Sequence, residues 1–288
     1  MQLNRLLQYF NHWPPGVVQH RPVLNFSDQG AFGVYGSLRL CSVFQPIWQQ
    51  GGLQRQPFAH EALLRVFDQS GRPLPIGQFF SQARSADEVV YLDRLSRVIH
   101  ALNFAAQAQE GDRLFLNVHG RHLLSIASGR HGTTFETLLG YCGLRPGQVV
   151  LEIVESEIDD LGLLEAAIAS YRHKGFRIAI DDFGAGHSNF DRLWQLTPDL
   201  VKLDRSLVLQ SMVNSRARVV FPKLIDIIHE LGAQVVCEGI ETPAQHQLVL
   251  QSEADLLQGF YYARPAATLA SARRPGPQDA LLLLSGTG

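Results

Sequence analysis

Three cysteines in 288 residues, Cys41, Cys142 and Cys237, form no CxxC pair and no even set. That argues against a disulfide framework and against a cysteine-ligated zinc centre, and it suits a reducing compartment such as the cytoplasm. No run of about 18 apolar residues occurs, so no membrane span is expected. Arg5 near the start is followed by no continuous apolar stretch, so no signal peptide is read there. An excess of one charge is missing too. The formal net charge of -2 exerts no long-range pull toward DNA or acidic membranes, and neither is expected as a partner. No Gly-x-Gly-x-x-Gly follows the first β-like run, which disfavours an open, dinucleotide-binding doubly wound sheet.

What is present is ordinary for a water-soluble α/β domain: 45% hydrophobic and 18% charged residues, in a length that accommodates one barrel of about 250 residues. Short β-like runs alternate with longer helical patterns and no other repeat is visible. The runs are Ser42–Ile47, Glu61–Arg65, Leu114–Val118, Val149–Ile153, Arg177–Asp181, Leu200–Leu203, Gln234–Glu238 and Leu257–Tyr262. Between them, Leu92, Leu95, Ile99 and Leu102 form one helical stripe, and Val220, Leu224, Ile227, Ile228 and Leu231 another. Eight strands mostly separated by helices predict an α/β fold, a (β/α)8 TIM-like barrel. Capping-box patterns at Ser188–Asp191 and Thr242–Gln245 follow β-like runs directly and mark strand-to-helix loops, the end of such a barrel where active sites sit. Leu3, Leu6, Leu7 and Phe10 predict a short amphipathic helix that packs on the barrel, broken by Trp13-Pro14-Pro15-Gly16. The organisation expected is an N-terminal extension over 1–37, a barrel over 38–270 and a loosely attached tail over 271–288.

Several apolar strands end in a side chain able to bind a cation or move a proton. Asn117 closes one, Glu152 another, Asp181-Asp182 a third; Lys202-Leu203-Asp204 and Glu238-Gly239-Ile240-Glu241 follow, and His60-Glu61 opens the second run. Singly, each is ordinarily a solvated surface group, and an Asp-Asp before a glycine loop is ordinarily turn chemistry. Together they differ, because the C-terminal ends of parallel barrel strands converge on one face. Glu61, Glu152, Asp181, Asp182, Glu238 and Glu241 would bring six like charges into one mouth, which cannot all ionise without compensation. Oxygen ligands with one amide suit Mg²⁺, Mn²⁺ or Ca²⁺, and two such cations would turn an acidic pocket into one that accepts a phosphodiester. His60, His119 and His187 beside these residues are read as histidines facing solvent or substrate rather than ligands.

The ordered set of motifs resembles one family. Glu61-Ala62-Leu63 is the signature that names the EAL domain. Gln45-Pro46-Ile47 lies upstream; Asn117, Glu152-Ile153-Val154-Glu155, Asp181-Asp182-Phe183-Gly184, Lys202-Leu203-Asp204, Glu238-Gly239-Ile240-Glu241, Gln258-Gly259-Phe260 and Arg264-Pro265 follow in the family's order, over about residues 38 to 268. Three letters alone would mean nothing; nine motifs in sequence are specific. Val154 stands where the family often has Thr, and Ala185 and His187 where Thr and an aromatic are frequent, but no ligand position is altered.

The resemblance implies a barrel whose first strand is antiparallel, and metal-dependent hydrolysis of cyclic di-GMP to linear pGpG. It implies a metal set of Glu61, Asn117, Glu152, Asp181, Asp182 and Glu238, with Asp181 bridging two divalent cations, Mg²⁺ or Mn²⁺, and Ca²⁺ inhibitory. Glu61, Lys202 and Glu238 would be catalytic, with either Lys202 or Glu238 taking the proton. Gln45, Leu63, Arg65, Glu241 and Gln258 would position substrate, and Glu155 would brace the Asp182–Ser188 loop. A homodimer and an unidentified regulatory protein are the partners it suggests, since no Gly-Gly-Asp-Glu-Phe motif occurs and no room for a sensor is seen. The rivals are a catalytically silent EAL-type receptor or interaction module, which lost ligands would reveal, and a barrel abstracting a proton next to a carboxylate.

Overall fold

The structure, a computed structural model, describes residues 2–12, 23–51, 56–120, 122–123, 134–154, 160–186 and 190–270. Among the described residues eleven strands form one sheet: β1 (Leu24–Ser27), β2 (Gly30–Tyr35), β3 (Leu38–Gln49), β4 (Ala59–Phe67), β5 (Pro73–Leu74), β6 (Leu114–Asn117), β7 (Val149–Val154), β8 (Arg177–Phe183), β9 (Leu200–Leu203), β10 (Gln234–Cys237) and β11 (Leu256–Leu257). Eight of them close on themselves, because β3 pairs with both β4 and β11. Strand β3 runs antiparallel to both neighbours while the other six pairings are parallel. The TIM-like barrel and its antiparallel first strand are thus as the sequence and its resemblance implied.

One inward residue from each barrel strand forms a separate apolar cluster: Ile47, Ala59, Phe115, Val150, Ala179, Leu200, Val236 and Leu256, all sealed from solvent. Hydrogen-bond registers connect the members of this ring. Ile47–Ala59, Phe115–Val150, Ala179–Leu200 and Val236–Leu256 are direct partners. The four intervening neighbours are offset by two residues each. Four such steps give a shear of eight, the value that lets eight tilted strands close around a packed interior. The ring is the floor of the barrel.

The remaining apolar side chains fill the layer between strands and helices. Helix Ala86–Ala105 starts where Ser85 accepts from the Glu88 N–H, and buries Leu92, Leu95 and Ile99. Helix Pro243–Leu250 carries the capping box read from Thr242 and Gln245, with Pro243 in its first turn. The stripe expected on the next-to-last long helix is displaced. Ser215–Glu230 buries Phe221, Leu224, Ile225 and Ile228, leaving Val220 and Ile227 in solvent. Its apolar residues span more than one face, so periodicity alone did not fix which side packs. The last strand is shorter than the run Leu257–Tyr262, because Gly259 turns the chain at once.

Residues 24–35, within the segment expected to precede the barrel, contribute β1 and β2, which extend the sheet from the far end of β3. The amphipathic helix Gln2–His12 buries Leu6 and Phe10, with Phe10 edge-on to Tyr91 of the outer helix Ala86–Ala105. The tail 271–288 and the capping-box residues Ser188 and Asn189 lie outside the described residues. No helix among the described residues is long and apolar enough to cross a membrane.

Candidate active site

Side chains two residues apart on a strand share a face. Two residues beyond each floor position, counted backwards on antiparallel β3, stand Gln45, Glu61, Asn117, Glu152, Asp181, Lys202, Glu238 and Gln258. Every member of this second ring is polar. Glu238 and Gln258 stand just past their strands, but Glu238 N–H to Leu203 O (3.2 Å) and Gln258 N–H to Cys237 O (2.9 Å) prolong the ladder.

Lys202 is the centre. Its ammonium, 1% exposed, lies 2.5 Å from Glu152 Oε1, 2.7 Å from Glu238 Oε1, 3.0 Å from Asp181 Oδ1 and 3.6 Å from Glu61 Oε1. Two amides complete the inner contacts. Asn117 Nδ2 donates to Glu152 Oε2 (3.0 Å) and Glu61 Oε1 (3.4 Å), and Gln258 Nε2 donates to Glu61 Oε2 (2.6 Å). Gln258 Oε1 is buried and meets no donor among the described residues.

A break in strand periodicity adds a further carboxylate. Adjacent residues of a regular strand point to opposite faces, so Asp181 and Asp182 should not both reach the mouth. The β8–β9 register shifts between Ile180 and Phe183, inserting one residue into β8. Asp182 takes the extra position with a left-handed φ of 55°, a conformation Asp tolerates better than most residues. Its N–H donates to Asp181 Oδ1 (3.0 Å), and carboxylate oxygens of Asp181, Asp182 and Glu238 lie within 4.8 Å of one another. This is a β-bulge that re-aims a side chain.

The electrostatics of the cluster are unbalanced. Burial opposes the Lys202 charge, but Asp181, Glu152, Glu238 and Glu61 outweigh it and hold the ammonium protonated well above its ordinary range. Burial and then Glu61 drive the Glu152 carboxyl well up, only partly offset by Lys202. Glu238 is raised by burial to about 8 despite Lys202, and Asp182 is raised by burial and then by Asp181. Fully ionised, the five carboxylates would outnumber the one ammonium by four negative charges, and their raised pKa values show that the protein alone does not compensate them. Two divalent cations carry that charge, and an oxygen-rich set with an amide is the kind they take. The residues therefore fit the metals that the sequence implies.

The residues expected to position substrate divide between two cavities flanking the ring. A cavity of about 630 Å³ on the β4–β6 side is lined by Leu63, Arg65, Asn117, Phe80 and His119 among others. Arg65 Nη1 there donates to Leu64 O (2.9 Å). A smaller one of about 170 Å³ on the β10–β11 side is lined by Gln45, Glu61, Glu238, Glu241, Gln258 and Phe260. Gln45 donates to Ala263 O (3.3 Å). Glu241 does not join the Lys202 cluster; it pairs through both oxygens with Arg205 (3.0 and 3.1 Å). The loop carrying Glu238 and Glu241 passes close to Arg205 at Gly239, whose φ is 64° and where a Cβ would stand 2.5 Å from Arg205 Cβ. His60 does not face solvent or substrate as expected: it alternates with the inward Ala59 and Glu61 and is packed in the wall, 1% exposed, whereas His119 lines the large cavity. Glu155 and His187 lie outside the described residues.

Sequence reasoning passed over Arg205 and Phe260. The Arg205–Glu241 pair spans 36 positions and leaves no local pattern. Phe260, 44% exposed beside Glu241 with Arg264 4.4 Å from its ring centre, lay inside a quoted motif, and its exposure at the mouth is a fact of the fold.

Residues 36–265 match the EAL domain family, and the chain belongs to it. The cyclic di-GMP phosphodiesterase RocR of Pseudomonas aeruginosa is 32% identical over 166 residues, covering 56% of this chain and 40% of RocR. Signaling protein YkoW of Bacillus subtilis is 28% identical over 214 residues, covering 71% of this chain and 26% of YkoW. The chain thus spans well under half the length of either relative. Klebsiella pneumoniae BlrP1, solved with manganese and cyclic di-GMP, shares the fold with a TM-score of 0.68 at 26% identity, over 81% of this chain and 57% of BlrP1.

Proposed function

We propose that this chain hydrolyses cyclic di-GMP to linear pGpG with two divalent cations, Mg²⁺ or Mn²⁺, lowering the level of that messenger. The observation that carries this reading is the complete polar ring around Lys202, joined by the bulge that brings Asp182 beside Asp181 and Glu238. Bound cations would supply an activated water and neutralise the scissile phosphate. Glu61, Asn117, Glu152 and Asp181 would hold one, and Asp181, Asp182 and Glu238 the other. Lys202, enclosed by four carboxylates, stays an ammonium and would donate to the water or the phosphate; as the water oxygen bonds to phosphorus and one P–O ester bond breaks, the water's proton would pass to Glu238 and the departing ribose oxygen would take one up from solvent.

The two cavities on either side suit the two halves of a cyclic dinucleotide, with a phosphodiester over the ring between them. Arg65 and Leu63 receive one half, and Gln45, Glu241 and Gln258 the other. Arg65 offers a permanently charged, paired donor for a phosphate oxygen. Glu155 braces the loop from Asp182 to Ser188. Ca²⁺, larger and less demanding in its geometry, permits binding and inhibits turnover. A homodimer regulated by a further protein and a cytoplasmic setting belong to the same reading; the three cysteines, all free, agree with the setting.

The test is chromatography of products from purified protein and cyclic di-GMP with Mg²⁺, Mn²⁺, Ca²⁺ or chelator. Linear dinucleotide that depends on Mg²⁺ or Mn²⁺ and vanishes in Glu61→Ala supports the reading. Saturable binding without product sinks it in favour of a receptor.

A further inference from the structure

Helix Ala86–Ala105 carries charge where an outer barrel helix is ordinarily apolar. Asp93, Arg94 and Arg97 are at most 4% exposed, and the proposed reaction uses none of them. A carboxylate sealed from water must be matched by donors. Asp93 spends its two oxygens differently. Oδ2 receives Arg97 Nη2, with His122 Nδ1 3.5 Å away. Oδ1 accepts the backbone N–H of His119 at 3.2 Å.

His119 stands two residues after Asn117, the end of a four-residue strand and the one amide in the proposed metal set. The chain there is held from two sides. Val118 N–H donates to Glu152 O (2.9 Å), which ties it to β7, and the next peptide is tied to the outer helix by Asp93. The His119 carbonyl then starts a turn, accepting from His122 N–H (2.8 Å). Asn117 Nδ2 is already committed to Glu152 and Glu61, which leaves its Oδ1 as the ligand atom. Where that oxygen sits depends on the peptides that follow. Arg97 in turn is fixed over the Phe135 ring, 4.0 Å from its centre, so the anchor has a rigid backing.

We propose that Asp93 is a positioning residue for the metal site: it locks the loop after β6 so that Asn117 Oδ1 is preset toward a cation. The inference rests on the two-cation reading above; because Asp93 and Arg97 also line the larger cavity, it is tested on cation binding with no substrate present.

Replacing Asp93 alone strands a buried guanidinium, so the decisive variant is Asp93→Ala/Arg97→Met, which removes both charges, with Asp93→Asn as the conservative partner that can keep the His119 contact. Three quantities are read on metal-stripped full-length protein: the manganese dissociation constant by calorimetry, exchange of the His119 amide, and Tm. The double variant should exchange the His119 amide faster and bind manganese roughly tenfold more weakly, the usual effect of losing a group that orients a ligand. Asp93→Asn should fall between it and wild type. An unchanged manganese constant in a folded double variant, whatever its Tm, would overturn the proposal, because a purely structural ion pair moves Tm alone. Wild type that binds no manganese would overturn both this inference and the two-cation reading. Wild type that binds manganese but leaves cyclic di-GMP intact would overturn only the hydrolysis, and the Asp93 comparison would then decide this inference by itself.

Discussion

The floor of the barrel and the ring above it are built by the same eight strands, two residues apart. The floor is wholly apolar and buried. The ring above it is wholly polar, with Lys202 held among four carboxylates. The backbone offers both levels the same inward directions, so the difference lies in side-chain chemistry alone. The floor closes the barrel and excludes water from below. The ring concentrates negative charge that only added cations, or protons, can relieve. One level supplies stability and the other gives some of it up to gather charge, as functional sites commonly do.

The sharpest way to test this division is to damage each level separately. Asp181→Ala removes a carboxylate shared between the two proposed cation positions. Turnover should fall by on the order of 10³-fold or more, while Tm of the metal-free protein stays near wild type, since Lys202 keeps three carboxylate partners. A steady-state assay beside a thermal melt checks both. Undiminished turnover would refute the metal set. Phe115→Ala, one floor position below Asn117, should do the reverse. Removing a buried phenyl group costs about 3–5 kcal/mol, visible in the urea midpoint. Activity per folded molecule at low temperature should drop far less than in Asp181→Ala.

Acid separates inside from outside. Glu238, in the ring, has its carboxyl raised by burial to about 8 from an ordinary 4.5. The folded protein therefore keeps a proton that the unfolded chain sheds. That contribution is fully present below pH 4.5 and is lost as pH rises through 8. His100 lies on the outer side of the wall, bonded to Ser42 Oγ at 2.7 Å, and burial, then Arg65 and Arg97, lower it from 6.5 to about 3. Its contribution has the opposite sign: present above pH 6.5 and lost as pH falls toward 3. At pH 5 the loss is about 2 kcal/mol. Urea titrations of metal-free protein between pH 5 and 8 should show His100→Asn flattening the acid side and Glu238→Gln the alkaline side. Matching profiles for the two variants would mean that one group does not titrate as described.

How much of this was legible depends on the range of the interaction. Strand runs and the Thr242–Gln245 cap are local, and they were readable. Convergence of Glu61, Asn117, Glu152, Asp181, Lys202 and Glu238 was readable once strand ends were assigned to one face of a barrel. The family resemblance, more than any periodicity, supplied the antiparallel β3. The bulge at Asp182 was hidden, because an Asp-Asp pair before a glycine reads as turn chemistry until the β8–β9 register is known. Strands β1 and β2 were hidden because their sequences alternate poorly. The exposed face of Ser215–Glu230 was misjudged because apolar residues there outnumber what one packed face needs. Asp93 gave no signal, since a carboxylate on a helix is ordinarily in solvent and its partner His119 is 26 positions away.

The smallest effect is expected at the rim, where ring and solvent meet. Arg205 opens helix Arg205–Val213 and pairs with Glu241 through both of that residue's carboxylate oxygens, but the side chains are 50% and 34% exposed. An ion pair so open is worth at most about 1 kcal/mol to the fold, so Arg205→Ala should hardly move Tm. Its effect should appear in the site instead. Glu241 would lose the partner that orients its carboxylate over the smaller cavity, while the cluster around Lys202 would remain intact. The expected result is a KM for cyclic di-GMP raised several-fold, about 1 kcal/mol of binding, with kcat close to wild type. A fall in kcat at unchanged KM would place Arg205 in the chemistry of the inner ring and erase the boundary between rim and ring.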